Sequence, residues 1–146
     1  MTTTPIVNAN NIDISGLLYL INKSEGFFSH RIRLQKMVLL AQKEFNTPFS
    51  YSYESYYYGP YSRELQTTIS NLISDGLLIE ETIESPYGNV SYYYKATPKG
   101  TELSKGLDKV IKTSIDRLWE KYSNHTTDFI VKSAKEISHI GSLNER

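Results

Sequence analysis

Apolar residues recur at helical spacing in some stretches of this chain and alternate with polar ones in others. The clearest stretch begins after Gly59-Pro60, where Ser62 is placed to cap a helix by accepting a free amide of its first turn. Leu65, Ile69, Leu72 and Ile73 follow at i, i+4, i+7 and i+8, which predicts one buried face. Gly76 stands where that helix should end in a left-handed residue. Residues 77–84 then read as a strand and 90–97 as its partner, joined by Ser85-Pro86-Tyr87-Gly88-Asn89, a cluster of turn formers of hairpin length. Thr97-Pro98 restarts a helix, with Thr97 as cap and Pro98 at the first helical position.

The same patterns extend outward. Residues 14–22 predict a first helix, capped by Asp13, with Leu17, Leu18, Leu20 and Ile21 as its apolar side. Ser29 is expected to cap a second helix over 30–45, with Ile32, Leu34, Met37, Val38, Ala41 and Phe45 largely on one side. From Phe49 to Tyr53 aromatic and small residues alternate, a strand pattern with one aromatic face. Residues 98–122 read as one long helix striped by Leu103, Leu107, Val110, Ile111, Ile115, Leu118, Trp119 and Tyr122. A last helix is expected over 127–140, ended by Gly141, with 142–146 as a tail. Residues 1–12 read as a flexible tail, 13–97 as the core, and 98–146 as a C-terminal helical pair that packs on the core or dimerises. The fold class is α+β, mainly helical, with a small antiparallel hairpin.

The order helix, hairpin, then "YYYKATPKG" leading into a helix resembles the second half of PadR- and MarR-like winged-helix domains. That resemblance implies a winged-helix-like core whose hairpin is the wing and whose preceding helix is the DNA reader, with extra C-terminal helices. "RIRLQKMVLLAQKEF", a Tyr-rich strand and "YYYGPYSRELQTTISNLISDGLLIE" are similar to YwgA-like proteins and, more distantly, to SocA-like (Panacea) antitoxin domains. This second resemblance implies a prokaryotic intracellular protein in a family better known for toxin neutralisation and partner binding than for catalysis. One departure stands out. A helix-turn-helix uses a turn of about 3–4 residues, whereas Asn46 to Gly59 separates the second and third helices here.

Composition narrows the classes. A 146-residue chain with 39% hydrophobic and 22% charged residues can build one core without disulfides or metal. The absence of Cys excludes disulfides, thiol catalysis and Cys-ligated metal. No apolar run approaches the ~18 residues of a spanning helix, and the start MTTTPIVNANN lacks the basic and apolar regions of a signal peptide, so a cytoplasmic location is expected. The formal net charge is zero, where a nucleic-acid protein is expected to carry a basic surplus. The charge is segregated, however: Arg31, Arg33, Lys36 and Lys43 fall together without an acid, and Asp75, Glu80, Glu81 and Glu84 together without a base.

Candidate chemistry is sparse. His30, His125 and His139 are not at metal-ligand spacing; His125 with Asp128, and Glu136 with His139, read as a cap and a surface pair. No phosphate loop, nucleophile elbow or zinc-protease helix is present, and no catalytic residue, metal or cofactor is expected. Two functional readings stand. In the first the protein is a homodimeric transcriptional regulator that binds double-stranded DNA. Arg63, Gln66, Thr67, Ser70 and Asn71, with Ser62 at the cap, would then face the bases. Tyr87 and Asn89 would sit at the wing tip, with Lys95, Arg31, Arg33 and Lys36 on phosphates. In the second it is a protein-binding module of the antitoxin kind, with Tyr51, Tyr53, Tyr57 and Tyr58 as the contact surface.

Overall fold

The computed structural model describes residues 11–57 and 59–144, with side chains through 138. The order is α1 (Ile12–Ile21), β1 (Phe28–Ser29), α2 (Arg31–Glu44), β2 (Glu54–Tyr56), β3 (Gly59–Tyr61), α3 (Arg63–Ser74), β4 (Leu78–Glu84), β5 (Val90–Ala96), α4 (Pro98–Ser104), α5 (Lys109–Tyr122) and α6 (Thr127–Asn144). The fold is α+β and mainly helical, as expected. Two antiparallel sheets form, one in the order β1-β5-β4 and one of β2 with β3.

The strongest local signals hold. Ser62 Oγ accepts from Leu65 N at 3.1 Å and starts α3, whose buried side is Leu65, Ile69 and Leu72. Gly76 takes φ +75° beyond its end. Strands β4 and β5 pair from Leu78↔Ala96 to Glu84↔Val90, and Thr97 caps α4 with Pro98 in its first turn. The middle of α2 sits at the centre of the molecule. Residues 34–41 are all buried, Gln35 and Lys36 included, because α5, α6 and both sheets surround that helix.

Six expectations need correction. Asn11, not Asp13, caps α1; Asp13 instead accepts from Ser50 N at 2.9 Å and from the Ser50 hydroxyl. Of the expected tail, residues 1–10 lie outside the described residues, and Asn11 and Ile12 cap and begin α1. Ser29 does not cap α2, since it lies in β1 and His30 makes the corner at φ 74°. Residues 49–53 join no ladder. Their polar groups meet side chains instead, as where Gln42 Nε2 donates to Tyr51 O at 3.0 Å. The long C-terminal helix is interrupted at 105–108: Leu107 turns into the core and Asp108 Oδ1 caps a new helix at Val110 N. Gly141, finally, lies inside α6 rather than ending it.

Helices α5 and α6 pack chiefly on α1 and α2. Their stripes are largely consumed there, with Ile115, Leu118, Tyr122, Ile130 and Ala134 buried and Val110 and Phe129 left exposed.

Candidate interaction surfaces

The outward face of α3 carries Arg63, Thr67 and Ser70 exposed, with Asn71 half-buried. Arg63 is its one cation, and that cation is engaged. Its guanidinium donates to both Glu54 carboxylate oxygens at 3.3 Å, across from β2. Glu64 stands beside it in the first turn, held by the hydroxyls of Ser52 and Ser62. Gln66 turns partly inward, its amide oxygen buried and without a partner among the described residues. The tip of the β4–β5 hairpin is open, Tyr87 being 90% exposed, and Asn89 N donates to Ser85 Oγ at 3.2 Å.

The basic cluster anticipated on α2 is dispersed into the structure. Arg31 lies 3.6 Å over the Tyr92 ring, donates to Tyr94 Oη at 3.2 Å and meets Glu80 at 3.5 Å. Arg33 donates to the carbonyls of Tyr122 and Ser123 and to Thr127 Oγ1, closing the C-terminal end of α5 where a cation suits the helix dipole. Lys36 is buried at 2% exposure. Of the three, Lys36 is withdrawn from solvent, while Arg31 and Arg33 are half-buried and bonded within the chain. Lys95 is exposed, with its ammonium 5.7 Å from the Phe27 ring.

Nor do the tyrosines share one surface. Tyr51 is buried in the core and Tyr53 is half-buried, its hydroxyl donating to Gln42 Oε1 at 3.1 Å. They pack where the partner surface was expected, because 49–53 lies against α1 and α2 rather than solvent: Phe49 sits at Gly16 of α1, Tyr51 Oη reaches Asp13 O, and Gln42 of α2 bonds Tyr51 O and Tyr53 Oη. Tyr58 lies outside the described residues. Tyr57 remains, 88% exposed at the turn of the β2–β3 hairpin. Tyr56, which the pattern did not single out, is 47% exposed and packs edge-to-face on Tyr61 at 5.2 Å. Behind this hairpin runs α6, and Lys135 of α6 lies against Gly59: a Cβ there would stand 3.0 Å from Lys135 Cγ. Neither Lys135 nor Glu54 carries a local sequence signal, since each acquires its neighbours only when the hairpin folds back.

Burial holds the Lys36 ammonium down to about 8, with Lys135 as the second cause. The linkage has a definite sign. The unfolded chain binds this proton up to about pH 10 and the folded chain releases it near 8, so stability rises as pH climbs through that window. Lys36 is expected to contribute roughly 2 kcal/mol of this rise between pH 8 and 10. Urea titrations at the two pH values measure it, and Lys36→Met should flatten the rise.

Among the described residues no group of three His, Asp or Glu side chains could hold a metal ion, and no helix is long and apolar enough to cross a membrane.

No family model matches the chain. Over 71 residues, 49% of its length, it is 39% identical to the uncharacterized protein YwgA of Bacillus subtilis (strain 168). The chain is similar to YwgA. The match takes in 42% of that protein, so the chain spans less than half the length of this curated relative.

Proposed function

We propose that this chain is a protein-binding module that engages its partner through the side formed by the β2–β3 hairpin, and that it does not read duplex DNA. The observation that carries the reading is the pairing of Arg63 with Glu54, beside Glu64. The position where a recognition helix needs free cations and donors for phosphate holds instead a neutralised arginine and a carboxylate. The hairpin next to it offers the exposed rings of Tyr56 and Tyr57, a residue type that supplies contact area at low entropic cost. We read it as a protein-binding module of the SocA-like (Panacea) antitoxin kind.

A DNA-binding regulator is the second reading, favoured by one observation. Strand β1 lies between α1 and α2, the β4–β5 hairpin follows α3, and the sheet order is β1-β5-β4, an order that supports a winged-helix reading. Among the described residues the C-terminal helices leave the large apolar side chains of Val110 and Phe129 exposed, and a homodimer through those helices would use them.

Fluorescence anisotropy on a labelled random duplex separates the two at about 50 and 200 mM salt. The expected result is no salt-sensitive binding by the wild type. Binding that falls about a thousandfold or more over that range, and that Arg63→Ala weakens, would establish the second reading and sink the first. A protein that copurifies with the wild type but not with a Tyr56→Ser, Tyr57→Ser double variant would support the first.

A further inference from the structure

The three-stranded sheet ends in an open edge. Its order is β1-β5-β4, so β5 is flanked on both sides and β4 on one only, with residues 81–84 exposed. At the two ends of the β4–β5 ladder, Thr97 N donates to Leu77 O and Ser85 N donates to Asn89 O. Antiparallel bonding alternates along a strand. With the register Ile79↔Lys95, Glu81↔Tyr93 and Ile83↔Ser91, the odd residues of β4 therefore bond β5. The backbone N–H and C=O groups of Glu80, Thr82 and Glu84 point away from it, and among the described residues they meet no other partner.

The side chains say what this edge would accept. Ile79 and Ile83 stand on the solvent face of the hairpin, opposite the face that buries Leu78, Tyr94 and Ala96, and both are exposed. The only charges on β4 are Glu80, Glu81 and Glu84. Glu80 meets Arg31, whereas Glu81 and Glu84 enter no ion pair among the described residues. A second copy of the chain would set these glutamates against its own, and like charges across a strand pair are destabilising. Such acids keep an open edge from pairing indiscriminately. The same charge favours a basic strand, with cations opposite Glu81 and Glu84 and apolar side chains covering Ile79 and Ile83.

We propose that the free edge of β4 is a strand-addition site, which takes an extended basic segment of the protein partner onto the backbone of Glu80, Thr82 and Glu84. This inference rests on the protein-binding reading and adds a contact on a different sheet from the β2–β3 hairpin.

The test is amide hydrogen exchange, read by NMR on the full chain with the peptide KVTKTVK. Its palindromic order presents valines to Ile79 and Ile83 and lysine to Glu81 in either strand direction. The expected result is that the amides of Glu80, Thr82 and Glu84 slow about tenfold at ten times the peptide's Kd. Those of Ile79, Glu81 and Ile83, already in the ladder, should change little. The peptide EVTETVE should protect none of them. Neither should KVPKPVK, which has the same charges but cannot build a regular ladder. Thr82→Pro removes an outward N–H at an edge position that tolerates proline, and should weaken KVTKTVK about tenfold or more. Should that variant fail to fold, the Glu81→Lys, Glu84→Lys double variant carries the test by reversing the preference to EVTETVE. The Tyr56→Ser, Tyr57→Ser variant should bind KVTKTVK as the wild type does. Equal binding of KVPKPVK would reduce the contact to charge alone and overturn the proposal. A dimer seen by sedimentation without peptide, and dissolved by Thr82→Pro, would give the edge to a second copy and overturn it as well. Unprotected amides at 80, 82 and 84 refute this site only, whereas duplex binding in the anisotropy assay refutes the protein-binding reading itself.

Discussion

Gly100→Ala is expected to lower the thermal midpoint by about 10 °C, read by circular dichroism, for a loss of roughly 3 kcal/mol or more. A Cβ at position 100 would stand 2.1 Å from the carbonyl oxygen of Leu77 and 3.3 Å from Leu18 Cδ2. The first contact is with backbone, so no rotamer change relieves it. Leu77 O also accepts from Thr97 N at 3.1 Å, while Thr97 Oγ1 donates to Gly76 O at 2.8 Å and accepts from Gly100 N at 3.1 Å. The methyl group must therefore displace either the base of the β4–β5 hairpin or the start of α4, and α4 packs on α1. A drop of less than about 2 °C, under 1 kcal/mol, would mean that this junction gives way easily and that the hairpin is not anchored there.

Gln35→Leu is expected to cost about 2 kcal/mol by urea unfolding. Gln35 is 1% exposed on α2, and its amide reads one residue twice. Nε2 donates to Ser62 O and Oε1 accepts from Ser62 N, each at 2.9 Å. Ser62 is itself fully buried and caps α3 with its hydroxyl. Leucine fills a similar volume but leaves the buried Ser62 N–H unpaired, at roughly 1–3 kcal/mol, and takes from Ser62 O one of its two donors, the other being Gln66 N at 3.3 Å. Gln35→Glu discriminates further. A neutral carboxyl can both donate and accept as the amide does, so the folded state should favour its protonated form and raise its folded pKa. Its stability relative to wild type should then be highest at acid pH and fall as pH rises through that folded value. A pH-independent deficit would show that volume rather than hydrogen bonding matters at this site.

Both residues bear on function, because they fix α3 and its neighbours. The clamp from Gln35 sets where α3 begins, hence where Arg63 and Glu64 stand relative to Glu54 and the hairpin. Loss of the clamp would loosen the surface proposed to meet a partner before it unfolded the chain.

The elements that were legible in the sequence are those with local causes. Ser62, Gly76 and the Thr97-Pro98 pair each act on backbone within a few residues, through a cap, a left-handed turn or a preset φ, and each does so in the structure. The β4–β5 hairpin was legible for the same reason, its turn formers lying between two alternating runs. Tertiary contacts alone decided the rest. Whether Lys36 faces solvent or core depends on α6, which lies some hundred positions along the chain. Whether Tyr51 faces a partner or the interior depends on how 49–53 lies against α2. The interruption between α4 and α5 came from the burial of Leu107, which outweighed a helical stripe that would otherwise have continued. Arg33 and Arg31 met their acceptors on α5, β4 and β5, so a cluster that is contiguous in sequence is dispersed in space. The sequence by itself determined the secondary structure around α3 and the hairpin, because caps, turns and periodicity are short-range. Which charges remain free to act was decided by the tertiary structure, because an ion pair or a burial needs the second partner to arrive.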